Sequence, residues 1–131
     1  MADPNGRYVF LKGTIADRNY TFASPYAPNT NQHRFIARTL KMLDRFREGL
    51  LVVAGDLNVP LELRWDTSKG HSAHSDTCRR VTKDALHEAG LADTRRVLHP
   101  EEKDFSYYST AHRGYSCLDH VLVSQEYLHL L

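Results

Sequence analysis

Asp56 and Asn58, two positions apart with Gly55 before them and Pro60 after, are the residues of this sequence best suited to act on a substrate. A carboxylate can bind a hard cation or take a proton from water, and an amide can hold a phosphate or an oxyanion without adding charge. Tyr26 lies between Pro25 and Pro28, which fix it in an extended segment where its hydroxyl could meet a phosphate. Asp119 falls inside an apolar run, where an unpaired carboxylate is costly, so a histidine, a tyrosine or a metal is expected beside it. His71, His74 and Cys78 are spaced like metal ligands, although a structural zinc site needs a fourth that is not evident. Each has a plainer reading too. Asp56 and Asn58 can cap backbone amides in a turn, Tyr26 can pack over one, and Asp119 can be hydrogen-bonded for structure alone.

The elements that must position these residues follow from period and punctuation. Leu50–Ala54 is short, apolar and valine-rich before Gly55, which predicts a buried strand ending at Asp56. Tyr8 to Ser24 predicts an antiparallel hairpin turning at Asp17 to Asn19, after which the prolines end the ladder before Tyr26. From Asn31 to Phe46, Phe35, Ile36, Thr39, Leu40, Leu43 and Phe46 share one helical face. Arg34, Arg38, Lys41 and Arg45 form a stripe on the opposite face, open to solvent or to a phosphate backbone. Leu61 to Thr77 has no period and reads as a long loop, and a second helix is expected from Ser75 or Asp76 to Ala89, stopped by Gly90. Its inward residues would be Cys78, Val81, Ala85, Leu86 and Ala89. A short helical turn before Pro100, a strand at Phe105–Ser109, a buried strand through Leu118–Val123 and a helical tail complete a mixed α/β layer.

Composition sets the outer limits. The 131 residues, 41% hydrophobic and 25% charged, are expected to form one globular domain over residues 1–131. No run approaches the roughly 18 apolar residues of a spanning helix, and MADPNGRY lacks the apolar core of a signal peptide, so an intracellular protein without membrane contact is expected. Two cysteines do not make a disulfide framework. A net charge of +1 leaves any nucleic-acid contact to local arginine and lysine clusters.

YAPN at 26–29, GDLN at 55–58 and YSCLDHVLVS at 115–124, in that order, resemble the endonuclease/exonuclease/phosphatase superfamily. The likeness is greatest to the endonuclease domain of LINE-type non-LTR retrotransposons. ALHEAGLADTRRVLHPEEKDFSYYS, Ala85 to Ser109, is similar to the segment joining the last two motifs there. The resemblance implies a partial α/β sandwich, with a mixed, largely antiparallel sheet and covering helices. It also implies Mg²⁺-dependent hydrolysis of phosphodiesters, with DNA as substrate and a nuclear location for a retrotransposon-like protein. By the same resemblance Tyr26 contacts the scissile phosphate, Asp56 orients the attacking water and holds Mg²⁺, Asn58 holds the phosphate, and Asp119 orients a catalytic histidine.

Two parts of the family pattern have no match here. Its N-terminal half supplies an Asn and a metal-binding Glu, and its last motif is a Ser-Asp-His beyond the final strand. Leu118-Asp119-His120 belongs to the strand before that motif, so His120 is not the catalytic base. Ser24 also stands where many relatives have Asn. The resemblance therefore implies impaired hydrolysis, or alternatively a non-catalytic module that binds protein or nucleic acid. A single sheet would leave an apolar face open, for which self-association or a protein partner is expected.

Overall fold

The computed structural model describes residues 1–71 and 76–130. Strands β1 (Tyr8–Ile15) and β2 (Arg18–Pro25) form the expected hairpin, but its turn is tighter. Only Ala16 and Asp17 separate the strands, at φ of 49° and 64°, the left-handed pair that a two-residue hairpin turn requires. Helix α1 (Gln32–Phe46) crosses over and delivers the chain into β3 (Leu50–Asp56), which lies parallel to β2. The intervening Gly49, at φ +68°, has no room for a side chain, because a Cβ there would stand 2.1 Å from the carbonyl oxygen of Asn19. The short helix α2 (Leu63–Asp66) follows, then α3 (Asp76–Glu88), β4 (Leu91–Asp93) and helix α4 (Thr94–Leu98). Strands β5 (Tyr107–Ser109) and β6 (Gly114–Ser116) make a separate hairpin. The chain returns to the main sheet as β7 (Asp119–Ser124) and ends in a 3-10 helix over Gln125–Leu130.

The main sheet runs β1-β2-β3-β7-β4, with only the β2–β3 pair parallel. This is the α/β layer the sequence implies: a mixed, largely antiparallel sheet with helices over it. Side chains alternate between faces along each strand. One set, Phe10, Ala23, Leu51, Val53 and Leu122, is buried with Phe35, Ile36 and Leu43 of α1 and Leu86 of α3. The other set holds Val9, Leu11, Ile15, Phe22 and Val121, and all are exposed. No described helix covers that face. Among the described residues no helix is long and apolar enough to cross a membrane.

Several expectations change on inspection. The segment from Leu61 is not featureless, because α2 forms there and Thr67 bridges Ser116 of β6. In α3, Thr82 takes the buried position between Cys78 and Leu86, while Val81 and Ala85 are half-buried. Leu91–Asp93, read as part of a helical turn, is an edge strand against β7. The stretch from Tyr115 to Ser124 is two strands separated at Cys117 and Leu118.

Candidate active site

Tyr26, Asp56 and Asp119 fall on the uncovered face of the sheet because each continues its alternation: Phe22 to Tyr26 on β2, Ala54 to Asp56 on β3, Val121 to Asp119 on β7. Asp56 and Asp119 are directly opposed in the antiparallel β3–β7 pair. Tyr26 forms a single parallel bridge with Asp56, and the Ala27 N–H donates to the Asp56 carbonyl at 2.8 Å. The β2–β3 ladder stops at Ala23 opposite Val53, as expected before the prolines, and Tyr26 meets Asp56 only through this isolated bridge. That approach requires Gly55, where a Cβ would lie 2.2 Å from the Pro25 carbonyl oxygen.

Asn58 closes the group from the loop after β3. Its backbone N–H donates to Asp56 Oδ1 at 2.8 Å, with Asn58 at φ 52°, so the turn reading of this pair is correct as local geometry. Its side-chain amide donates to Ala27 O at 2.6 Å, which ties the Tyr26 loop to the end of β3 and leaves the second amide hydrogen available. All four side chains line one cleft of about 750 Å³, closed on the far side by Tyr107 and Tyr115 of the β5–β6 hairpin. Lys69, His71 and His112 also face it. The sequence reading did not single out Lys69 or His112, because Lys69 lies in the loop after α2 and His112 in the turn between β5 and β6, and neither position has a period that marks it.

Burial raises the Asp56 carboxyl above its ordinary value, and the facing Asp119 adds to the rise. The Asn58 N–H and the charge of His120 act in the opposite direction. Two opposed carboxylates, with no cation in salt-bridge contact among the described residues, offer the oxygen ligands that a hard divalent ion such as Mg²⁺ prefers, so the residues present fit such an ion. Asp119 itself departs from expectation. It is exposed at the first position of β7, and its neighbour across the sheet is another carboxylate. Its backbone N–H is accepted by Ser106 Oγ at 3.3 Å.

His120 points to the other side of the sheet and is 5% exposed. Its Nε2 lies 3.0 Å from Val59 O, and since a carbonyl only accepts, that nitrogen carries the hydrogen. Its Nδ1 faces Asp93 at 3.9 Å, and Asp66 completes a group whose ligand atoms lie within 4.8 Å of one another. Asp66 is held by N–H donation from Leu61 and Glu62 to its Oδ2. Asp93 is raised chiefly by burial, against the opposing pull of His120. Neither aspartate was distinguished by sequence, where each sits in a polar stretch that reads as loop or turn. Of the His71, His74 and Cys78 set, only His71 and Cys78 are among the described residues. Cys78 is buried and donates to Gln32 Oε1 at 3.4 Å, His71 is exposed in the cleft, and His74 lies outside the described residues.

A sheet with helices on one side, carrying a tyrosine, two carboxylates and an amide at its strand ends, defines an α/β protein with a polar cleft at the sheet's end. The sequence profile of the Endonuclease/Exonuclease/phosphatase family matches residues 2–130, and the chain belongs to that family. Its fold is similar to an AP endonuclease from Archaeoglobus fulgidus, with a TM-score of 0.67 and 20% identity over 89% of this chain and 52% of that one. The endonuclease domain of TRAS1, a telomere-specific non-LTR retrotransposon, gives 0.68 and 16% over 99% and 57%. The 3'-5' exonuclease NExo from Neisseria meningitidis gives 0.67 and 21% over 95% and 54%. The chain thus spans about half the length of these structures.

Proposed function

We propose that the cleft is the catalytic part of a Mg²⁺-dependent phosphodiesterase acting on DNA, and that residues 1–131 are one partial domain of this family. The observation that carries the reading is the convergence of Tyr26, Asp56, Asn58 and Asp119 from three separated segments on one cleft. A structure of the 3' phosphatase NExo from Neisseria holds a product DNA hairpin, which supports DNA as the ligand class. In hydrolysis a water oxygen bonds to phosphorus and the ester oxygen leaves. Asp56 Oδ1 is occupied by the Asn58 N–H, so Oδ2 orients the water or takes its proton, and a raised carboxyl pKa makes it a better base. The free hydrogen of the Asn58 amide and the Tyr26 hydroxyl donate to non-bridging oxygens, where negative charge grows. Asp119 stands where the family resemblance puts the carboxylate that orients a catalytic imidazole; the Ser-Asp-His motif that carries that imidazole has no match here, so the leaving oxygen takes its proton from water. Asp56 would hold Mg²⁺, which when bound would supply positive charge against the same oxygens.

Cleavage of a labelled duplex oligonucleotide tests these roles one at a time. Tyr26→Phe and Asp119→Ala should each lower the rate by about 10²-fold with melting temperatures close to the parent's, and Asn58→Ala should lower it similarly while also melting lower, because its amide holds Ala27 O. Equal rates in all three would remove the cleft from the chemistry.

One observation favours a second reading, that of a module that binds without cleaving. Val9, Leu11, Ile15, Phe22 and Val121 leave one sheet face apolar and uncovered, and such a face in a soluble chain is buried by self-association or a protein partner. Impaired hydrolysis with intact assembly is what that reading expects. A nuclear location goes with the retrotransposon-like form of the first reading and would be read from the tagged protein in cells.

A further inference from the structure

The four cations that the sequence places on one helical stripe do not share one surroundings. Arg34 and Arg38 line a groove of about 520 Å³ together with Arg7, whereas Lys41 and Arg45 line a different depression beside Asp44 and Glu88. Arg34 and Arg38 are exposed, and among the described residues neither has a carboxylate within salt-bridge distance. The one acidic residue in the groove, Asp3, already accepts the backbone N–H groups of Asn5 and Arg7. That carboxylate offsets one of the three guanidinium charges, so the groove keeps a positive surplus of two.

Its position gives that charge a direction. Arg7 sets its guanidinium 5.1 Å from the centre of the Tyr26 ring and donates to the Tyr26 carbonyl at 3.4 Å. The loop after β2 separates the two concavities: Tyr26 and Asn29 face the cleft, while Pro28, Thr30 and Asn31 face the groove. A strand held at Tyr26 that left the cleft over this loop would meet Arg7 first. Arg34 and Arg38, one helical turn apart, are spaced by about 6 Å along α1. That rise covers about two nucleotides of a strand advancing 3.4 Å per step. Guanidinium groups match phosphate in shape as well as charge, and unpaired ones lose no existing ion pair on binding it.

We infer that Arg7, Arg34 and Arg38 form a track for the DNA phosphate backbone flanking the bond to be cut. The inference rests on the DNA reading of the cleft but concerns binding, so it is measured without cleavage. The probe is a fluorescein-labelled 20-base-pair duplex, titrated in chelator over a series of salt concentrations and followed by anisotropy. Arg34→Gln with Arg38→Gln should weaken binding at low salt by 10-fold or more. It should also reduce the slope of log K against log salt by about 2, since each phosphate contact contributes about 0.9. Lys41→Gln with Arg45→Gln removes the same charge from the same helix outside the groove and should change the slope by less than half as much. All four positions are exposed, so melting temperatures near the parent's verify that both variants fold. Equal losses in the two double variants would overturn the track in favour of diffuse attraction, and a parent that does not bind the duplex at any salt would overturn it outright. Either result leaves the cleft's chemistry to be decided by the cleavage assays, which a lost track alone does not abolish.

Discussion

Asp56 is held at a raised pKa by burial and by Asp119, and this sets a pH dependence whose sign can be stated. A carboxyl with a higher pKa folded than unfolded favours folding fully below its unfolded value, ordinarily 3.8, and loses that contribution as pH rises through the folded value. The ionised form present at neutral pH is therefore the less favourable one. Asp56→Asn keeps an oxygen to accept the Asn58 N–H and removes the charge. Thermal melts should show it more stable than the parent near pH 7 by a few tenths of a kcal/mol, given solvent screening, and no different below pH 4. A gain at pH 4 as large as that at pH 7 would contradict the account. Millimolar Mg²⁺ should raise the melting temperature of the parent and not of Asp56→Asn. Cys117 makes a different point at the same scale. Half-buried near Asp66, Asp93, Asp119 and Asp104, it is pushed up to about 11, so maleimide should label it slowly at pH 7.5 and faster as pH approaches 11.

At the scale of elements, the close contact of β2 with β3 places Tyr26 beside Asp56, and Gly55 is what permits it. Gly55→Ala should cost about 2–4 kcal/mol in denaturant unfolding, because the added methyl meets backbone that cannot step aside. A loss under about 0.5 kcal/mol would mean that the two strands separate readily. The hairpin and α1 were legible in the sequence because their apolar residues repeat with the period of the element, and the central strand because Leu50–Ala54 is an apolar, valine-rich run stopped by Gly55. Strand β4 was not, since three residues carry no period. The break before β7 was hidden for another reason. Leu118 is buried within the gap and Leu122 and Val123 beyond it, so one apolar run conceals the break between two elements. That is why Asp119 read as an interior charge when it stands exposed at a strand's first residue. The identities of Tyr26, Asp56, Asn58 and Asp119 as candidates needed only residue type and spacing. Their placement in one cleft, and the arrival of Lys69 and His112 there, depended on sheet register and a distant hairpin.

For the whole molecule, the same alternation that exposes an apolar sheet face sets the candidate site at that face's end. Assembly through that face would lie beside the proposed chemistry. Sedimentation of the 15.0 kDa chain should give a species heavier than a monomer, reduced to the monomer by Leu11→Lys with Phe22→Lys. A monodisperse monomer in the parent would count against the face as an assembly surface. The most direct test of the central claim is nicking of supercoiled plasmid by the purified chain, with Mg²⁺ and with chelator, beside Asp56→Ala. Nicking that requires Mg²⁺ and disappears in Asp56→Ala is the predicted result. Nicking that survives in Asp56→Ala, or no nicking above it in the parent, would contradict a phosphodiesterase centre in this cleft, and the second of these results would move the function to binding.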